Sequence, residues 1–285
     1  MCVIYFAQNA DKQDPKTINE MLKNAMSQSW GNPDGFGWLT IGKDTNVYKS
    51  PSKFAQADAL LAEKSFLASK LGILHLRYAT AGNCTMANTQ PIDMKNCVVI
   101  HNGMLEGAEY PARYYKGYSR KNENSKSDTF IFAEKLNQKL YSMSMIKALK
   151  DTLTGKGWYR LFIYDKRSGK TYYVANDDGL KLSYNPETGQ IYGSTKGVDI
   201  DSKSHDIGSF SLKTCNMYSF VPKADTIYLV QGVKWQVCDT LRPKYESYPG
   251  HAWGFTSNGS RTMHDIDESS EYIPWDKLSK KTSHK

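Results

Sequence analysis

The second residue of the chain is a cysteine that opens an apolar run, CVIYFAQ at 2–8. A cysteine in such a run is most often a small buried hydrophobe. Its position allows a second reading. With Met1 removed, which a small second residue permits, Cys2 would carry a free α-amine beside its thiol. An α-amine titrates near about 8, so part of it is neutral at pH 7 and can accept the thiol proton. A weak nucleophile needs an adjacent base, and here one residue would supply both.

Three further groups have types suited to a polar substrate. Arg77, in HLRYATAG at 75–82, closes an apolar run, and its forked guanidinium suits a carboxylate. Thr80 and Gly82 follow it in a polar segment of the kind that forms a closing lid. The commoner fate of such an arginine is a surface ion pair. His101-Asn102-Gly103 ends another apolar run. Asn-Gly there ordinarily means a hairpin turn. The Asn102 amide and the Gly103 backbone N–H are also two donors that could converge on a developing oxyanion. Ser127-Asp128-Thr129 begins a helical pattern, where Ser127 suits the N-cap and Asp128 the positive end of the helix dipole. That reading suffices, and it leaves Asp128 free to receive an ammonium group as well.

The elements that must position these residues follow from periodicity. Residues 2–8 read as a strand. Asp14-Pro15 starts a helix whose apolar positions are Ile18, Met21, Leu22, Ala25 and Met26. GNPDG at 31–35 is a turn before a strand pair at 36–41 and 46–50. A second helix is expected from Gln56 to Leu71, with Leu60, Leu61, Lys64, Leu67, Ala68 and Leu71 on one face. Strands at 72–78 and 97–103 flank a polar loop. Two helices follow, one from Ser127 with Phe130, Ala133, Leu136 and Leu140, and one at 145–153. The remainder reads as strands at 159–165, 171–177, 180–185, 190–195, 226–231 and 234–239, with turns at Lys166–Gly169 and Asn185–Gly189. Strands with interposed helix pairs imply an α+β protein with helices on both faces of two sheets. The expected division is one domain over 1–250 and a loosely structured tail over 251–285.

Composition narrows the function classes. The chain has 285 residues, 40% of them hydrophobic, enough for one large domain with a substantial core. There is no apolar run of membrane-spanning length and no secretory leader pattern, so the expected setting is cytoplasmic. Five cysteines, Cys2, Cys84, Cys97, Cys215 and Cys238, form no CxxC, and six histidines are scattered, so neither a disulfide framework nor a metal site is expected. Nor does any cofactor motif occur: there is no P-loop and no GxGxxG opening a helix. The net charge of +8 is diffuse, densest at 116–126 and 277–285. Such runs are usually solvated, although they leave room for a nucleic-acid or nucleotide-modifying partner.

Taken together, MC at the start, NPDGFG at 32–37, GILHLRYATAG at 72–82, NTQPI at 88–92, HNG at 101–103 and SDT at 127–129 resemble the class II glutamine amidotransferases. These are the Ntn-hydrolase glutaminases attached to amidophosphoribosyltransferase, asparagine synthetase, glutamate synthase and glucosamine-6-phosphate synthase. The motifs cover residues 1–140 in family order, with weaker agreement to about 240. The resemblance implies a four-layer αββα sandwich. It implies that Cys2 attacks the γ-carbonyl of L-glutamine, that Asn102 and Gly103 hold the oxyanion, that Arg77 with Thr80 binds the α-carboxylate, and that Asp128 takes the α-ammonium. A γ-glutamyl thioester would form, and ammonia would pass to a separate synthetase or transferase. Tyr78 stands where some relatives carry Trp. Two other readings stay open: an Ntn amidohydrolase acting on another γ-glutamyl or amide substrate, and a silent binding protein of the same fold.

Overall fold

The computed structural model describes residues 1–9, 13–105, 126–153, 157–185, 189–196, 198–199, 210–211, 218–231 and 234–241. Along the chain these form β1 (Val3–Gln8), α1 (Pro15–Gln28), β2 (Phe36–Gly42), β3 (Thr45–Ser50), α2 (Gln56–Leu67), β4 (Ser69–Leu76), β5 (Ile92–Asp93) and β6 (Cys97–Met104). Then come α3 (Asp128–Lys139), α4 (Met145–Leu153), β7 (Trp158–Asp165), β8 (Lys170–Ala175), β9 (Lys181–Tyr184) and β10 (Ile191–Ser194). The last elements are β11 (Val198–Asp199), β12 (Phe210–Ser211), β13 (Tyr218–Phe220), β14 (Thr226–Gln231) and β15 (Lys234–Thr240).

Two antiparallel sheets carry the architecture. One has the order β13-β9-β10-β1-β4-β2-β3, the other β15-β14-β8-β7-β6-β5. A short parallel pair, β11 and β12, stands apart. Side chains of β1 alternate between two separate cores. Val3, Tyr5 and Ala7 meet Ile18, Met21 and Leu22 of α1 and Phe66 of α2. Ile4 and Phe6 face the second sheet and meet Val98, Ile100 and Phe162. On the far side of that sheet, Val99 and Leu161 pack against Leu136 of α3 and Leu149 of α4. The layers therefore run helices, sheet, sheet, helices, as expected of the αββα sandwich. Because β1 is covered on both faces, its sequence is a continuous apolar run with no polar alternation.

The helix starts obey local rules. Asp14 caps α1, its carboxylate accepting from the Thr17 N–H at 3.0 Å, with Pro15 at the first helical position. Ser127 caps α3, its hydroxyl accepting from the Phe130 N–H at 3.1 Å. The second helix differs from expectation in both extent and face. It ends at Leu67, and residues 69–71 belong to β4. Its buried residues are Ala59, Ala62 and Phe66, whereas Leu60 and Leu61 are 55% and 48% exposed. Small alanines let α2 lie close, and Phe66 fills the space over Gly72, where a Cβ would come within 2.5 Å of its ring. β5, β11, β12 and β13 are elements that periodicity did not pick out, each of two or three residues. The expected tail from 251 and the basic runs, apart from Lys126, lie outside the described residues. Among the described residues no helix is long and apolar enough to cross a membrane.

Candidate active site

Antiparallel pairing places the start of β1 against the end of β4, with Val3 opposite Leu76. Cys2 therefore lies beside Tyr78. The Tyr78 N–H donates to the Cys2 Sγ at 3.3 Å, and the thiol donates to the Tyr78 carbonyl at 3.4 Å. Burial pushes the Cys2 thiol up, opposed by the Tyr78 backbone bond, by Arg77 and by the chain-terminal amine, and reinforced by Asp128. Burial also lowers the pKa of the amine at Met1.

A small cleft opens at Cys2, and Arg77, Thr80, Gly103 and Asp128 line it together with the nucleophile candidate. Five of the six expected site residues thus converge, although they are drawn from the residue before β1, the segment after β4, β6 and the first turn of α3.

Arg77 is 3% exposed, and its terminal nitrogens already have partners. They donate to the carbonyls of Ala81 at 2.9 Å, Asn83 at 3.1 Å, Gly82 at 3.3 Å and Asp34 at 3.4 Å. The guanidinium therefore fastens the following segment from inside. The 32–35 turn helps: the Asp34 carboxylate accepts from the Ala79 N–H at 2.7 Å, and the Arg77 N–H donates to the Gly35 carbonyl at 2.7 Å. At Gly82, φ is +71°, and a Cβ would lie 2.5 Å from the Ser127 nitrogen. Only glycine lets this segment rest on the start of α3.

Asp128 is 7% exposed and rigidly held. One carboxylate oxygen accepts from the Leu105 N–H at 3.0 Å, and the other from the Thr129 N–H at 2.7 Å. Behind it lies a buried polar group that inspection of the motifs had not assigned. Gln90 accepts from the His101 N–H at 2.6 Å and donates to the Thr129 hydroxyl at 3.2 Å. The His101 Nδ1 lies 3.0 Å from that hydroxyl. Burial lowers the His101 pKa, with Asp128 opposing. The NTQPI and SDT runs were the available signal, since a polar residue inside an apolar setting needs a partner.

Asn102 and Gly103 differ in what they face. Gly103 has φ of +151°, and a Cβ there would come within 2.1 Å of the Trp158 carbonyl, so β6 and β7 meet closely at this point. Asn102 is 1% exposed and is not part of the cleft wall. Its amide donates to the Thr195 hydroxyl at 3.1 Å, on the face of β6 that looks between the sheets. Among the described residues no group of three or more His, Cys, Asp or Glu gathers as metal ligands.

No family model matches the chain. The glutamine–fructose-6-phosphate aminotransferase of Helicobacter pylori is 26% identical over 160 residues, which is 53% of this chain and 26% of that protein. The amidophosphoribosyltransferase of Schizosaccharomyces pombe is 26% identical over 192 residues, 63% of this chain and 34% of that protein. The chain thus spans about a quarter to a third of the length of these two relatives. Among solved structures, the Bacillus subtilis glutamine phosphoribosylpyrophosphate amidotransferase complexed with ADP and GMP is 13% identical and superposes with a TM-score of 0.53, over 85% of this chain and 49% of that one. A structure described as the allosteric regulatory enzyme of purine biosynthesis is 15% identical and reaches 0.57 with the same coverage. At these identities the structural likeness is one of fold.

Proposed function

We propose that this chain, which carries a glutaminase domain of the class II glutamine amidotransferase type, releases ammonia from the side-chain amide of L-glutamine through a thioester on Cys2. The observation that carries the reading is the convergence of Cys2, Arg77, Thr80, Gly103 and Asp128 on one cleft. A free amino acid needs one cation for its carboxylate, one anion for its ammonium, and a nucleophile at the reacting amide. The cleft supplies all three.

The steps follow from chemistry. Once Met1 is removed, the α-amine of Cys2 takes the thiol proton and the thiolate adds to the γ-carbonyl carbon. The Gly103 N–H and the Asn102 amide receive the oxyanion. The tetrahedral adduct collapses, and the C–N bond breaks as the protonated amine gives its proton to the leaving nitrogen. Water then adds to the γ-glutamyl thioester and releases glutamate. Arg77 reaches the substrate carboxylate by exchanging its longer carbonyl bonds, those to Gly82 at 3.3 Å and Asp34 at 3.4 Å, for a bidentate ion pair.

The relatives named above are an aminotransferase and a phosphoribosyltransferase. By analogy the ammonia serves an acceptor, which we assign to a separate synthetase or transferase. We keep the division into a glutaminase domain over 1–250 and a tail over 251–285 as part of this proposal.

Intact mass measurement before and after 6-diazo-5-oxonorleucine tests the reading. The expected result is a chain lacking Met1 and a single adduct that Cys2→Ala abolishes, with glutamine hydrolysed and N-acetylglutamine not. A processed chain that neither takes the adduct nor turns over glutamine would refute it.

A further inference from the structure

We infer that Thr195 is a positioning residue for the Cys2 reaction, its hydroxyl tying the Asn102 carboxamide to the strand that carries the nucleophile. The inference rests on the function proposed above. Thr195 follows β10, and its backbone continues the pairing with β1: the Thr195 N–H donates to the Ile4 carbonyl at 3.1 Å. The Thr195 hydroxyl turns back to accept from the Ile4 N–H, also at 3.1 Å. The same oxygen accepts from the Asn102 amide nitrogen at 3.1 Å. A hydroxyl has two acceptor sites, and both are used here.

This arrangement matters because β1 and β6 lie in different sheets. No ladder bond joins them, so their offset at the site end depends on side chains. Ile4 is two residues from Cys2 along the chain, in the strand that Cys2 leads into. One oxygen thus touches the strand of the nucleophile and the group expected to receive the oxyanion.

In this arrangement the amide nitrogen is the end that faces Thr195. The Asn102 nitrogen has two hydrogens. Thr195 takes one, and the other remains for the oxyanion. The Asn102 Oδ1 is buried with no hydrogen-bond partner among the described residues. Were the amide reversed, its carbonyl oxygen would repel the charge that develops during attack.

The test compares Thr195→Val, which keeps shape and removes the acceptor, with Thr195→Ser, which keeps it. Thr195→Ala stands in for the valine variant if that one does not fold. For Thr195→Val, kcat on glutamine should fall about ten- to hundredfold, the scale of a displaced oxyanion donor, with KM within about twofold. Thr195→Ser should return to within about threefold of wild type, and Thr195→Val should add no loss in an Asn102→Ala background. Alkylation of Cys2 by iodoacetamide generates no oxyanion, so its rate should stay within about twofold of wild type in every Thr195 variant. Unchanged kcat in Thr195→Val, a full further loss on top of Asn102→Ala, or a parallel fall in alkylation would overturn the inference. A wild-type chain that lacks Met1 yet does not hydrolyse glutamine would instead defeat the proposed function, and this inference with it.

Discussion

Consider Asp128→Asn, a change of charge at nearly constant shape. Asp128 has two separable duties. Its oxygens accept separately from the Leu105 and Thr129 N–H groups, and its charge faces the cleft beside Cys2 and Arg77. Asparagine keeps one acceptor oxygen, so one of the two backbone donors is orphaned in a site only 7% exposed. That costs about 1–3 kcal/mol, or a melting temperature lower by about 2–10 °C for a chain of this size. For the substrate, a hydrogen bond to a charged partner is worth about 1.5–3 kcal/mol and a neutral one about 0.5–1.5. The difference of about 1–2 kcal/mol raises KM about 5- to 30-fold. The ammonium of glutamine is far from the reacting amide and is bound alike in ground and transition states. The loss is therefore uniform binding, and kcat should stay within about twofold. Steady-state glutamate release, measured well below the lowered melting temperature, gives both constants. A variant whose KM is unchanged while kcat falls would show that Asp128 does not hold the ammonium and acts instead on the chemistry.

Two further outcomes are expected. Gly103→Ala places a methyl 2.1 Å from the Trp158 carbonyl at a φ of +151°, so β6 must shift from β7; glutamine turnover should drop at least about a hundredfold and the melting temperature should fall, whereas a fully active variant would remove the Gly103 N–H from the proposed oxyanion site. His75 is buried, and that burial, with the charges of Arg77 and His101, lowers its pKa from 6.5 to about 3. The unfolded chain binds this proton first, so the stability involved is complete above pH 6.5 and is lost as pH falls toward 3, at up to about 1.4 kcal/mol per pH unit. Urea midpoints between pH 7 and pH 4 should therefore decline less steeply for His75→Asn than for wild type, and parallel declines would contradict the assignment.

The features legible in the sequence are those whose physics is local. A capping bond spans three residues, so Asp14 with Thr17 and Ser127 with Phe130 could be read from residue type and spacing. The apolar runs gave the strands, and the six short motifs gave the family resemblance and a set of site residues, five of which meet at one cleft. Periodicity points to the wrong face of α2 because Leu60 and Leu61 are more apolar than Ala59 and Ala62. Which face is buried depends on how closely the helix must approach its sheet, and small residues win there. By residue type, the guanidinium of Arg77 suits a carboxylate or a surface ion pair. The tertiary structure gives it four carbonyls, since a buried cation must find acceptors whether or not a substrate is bound. The Asn102 amide meets Thr195, 93 residues away, and Thr195 in turn meets Ile4, 191 residues away. No local pattern carries contacts of that span. They exist only once two sheets have stacked, and that stacking decides which polar groups meet across the interior.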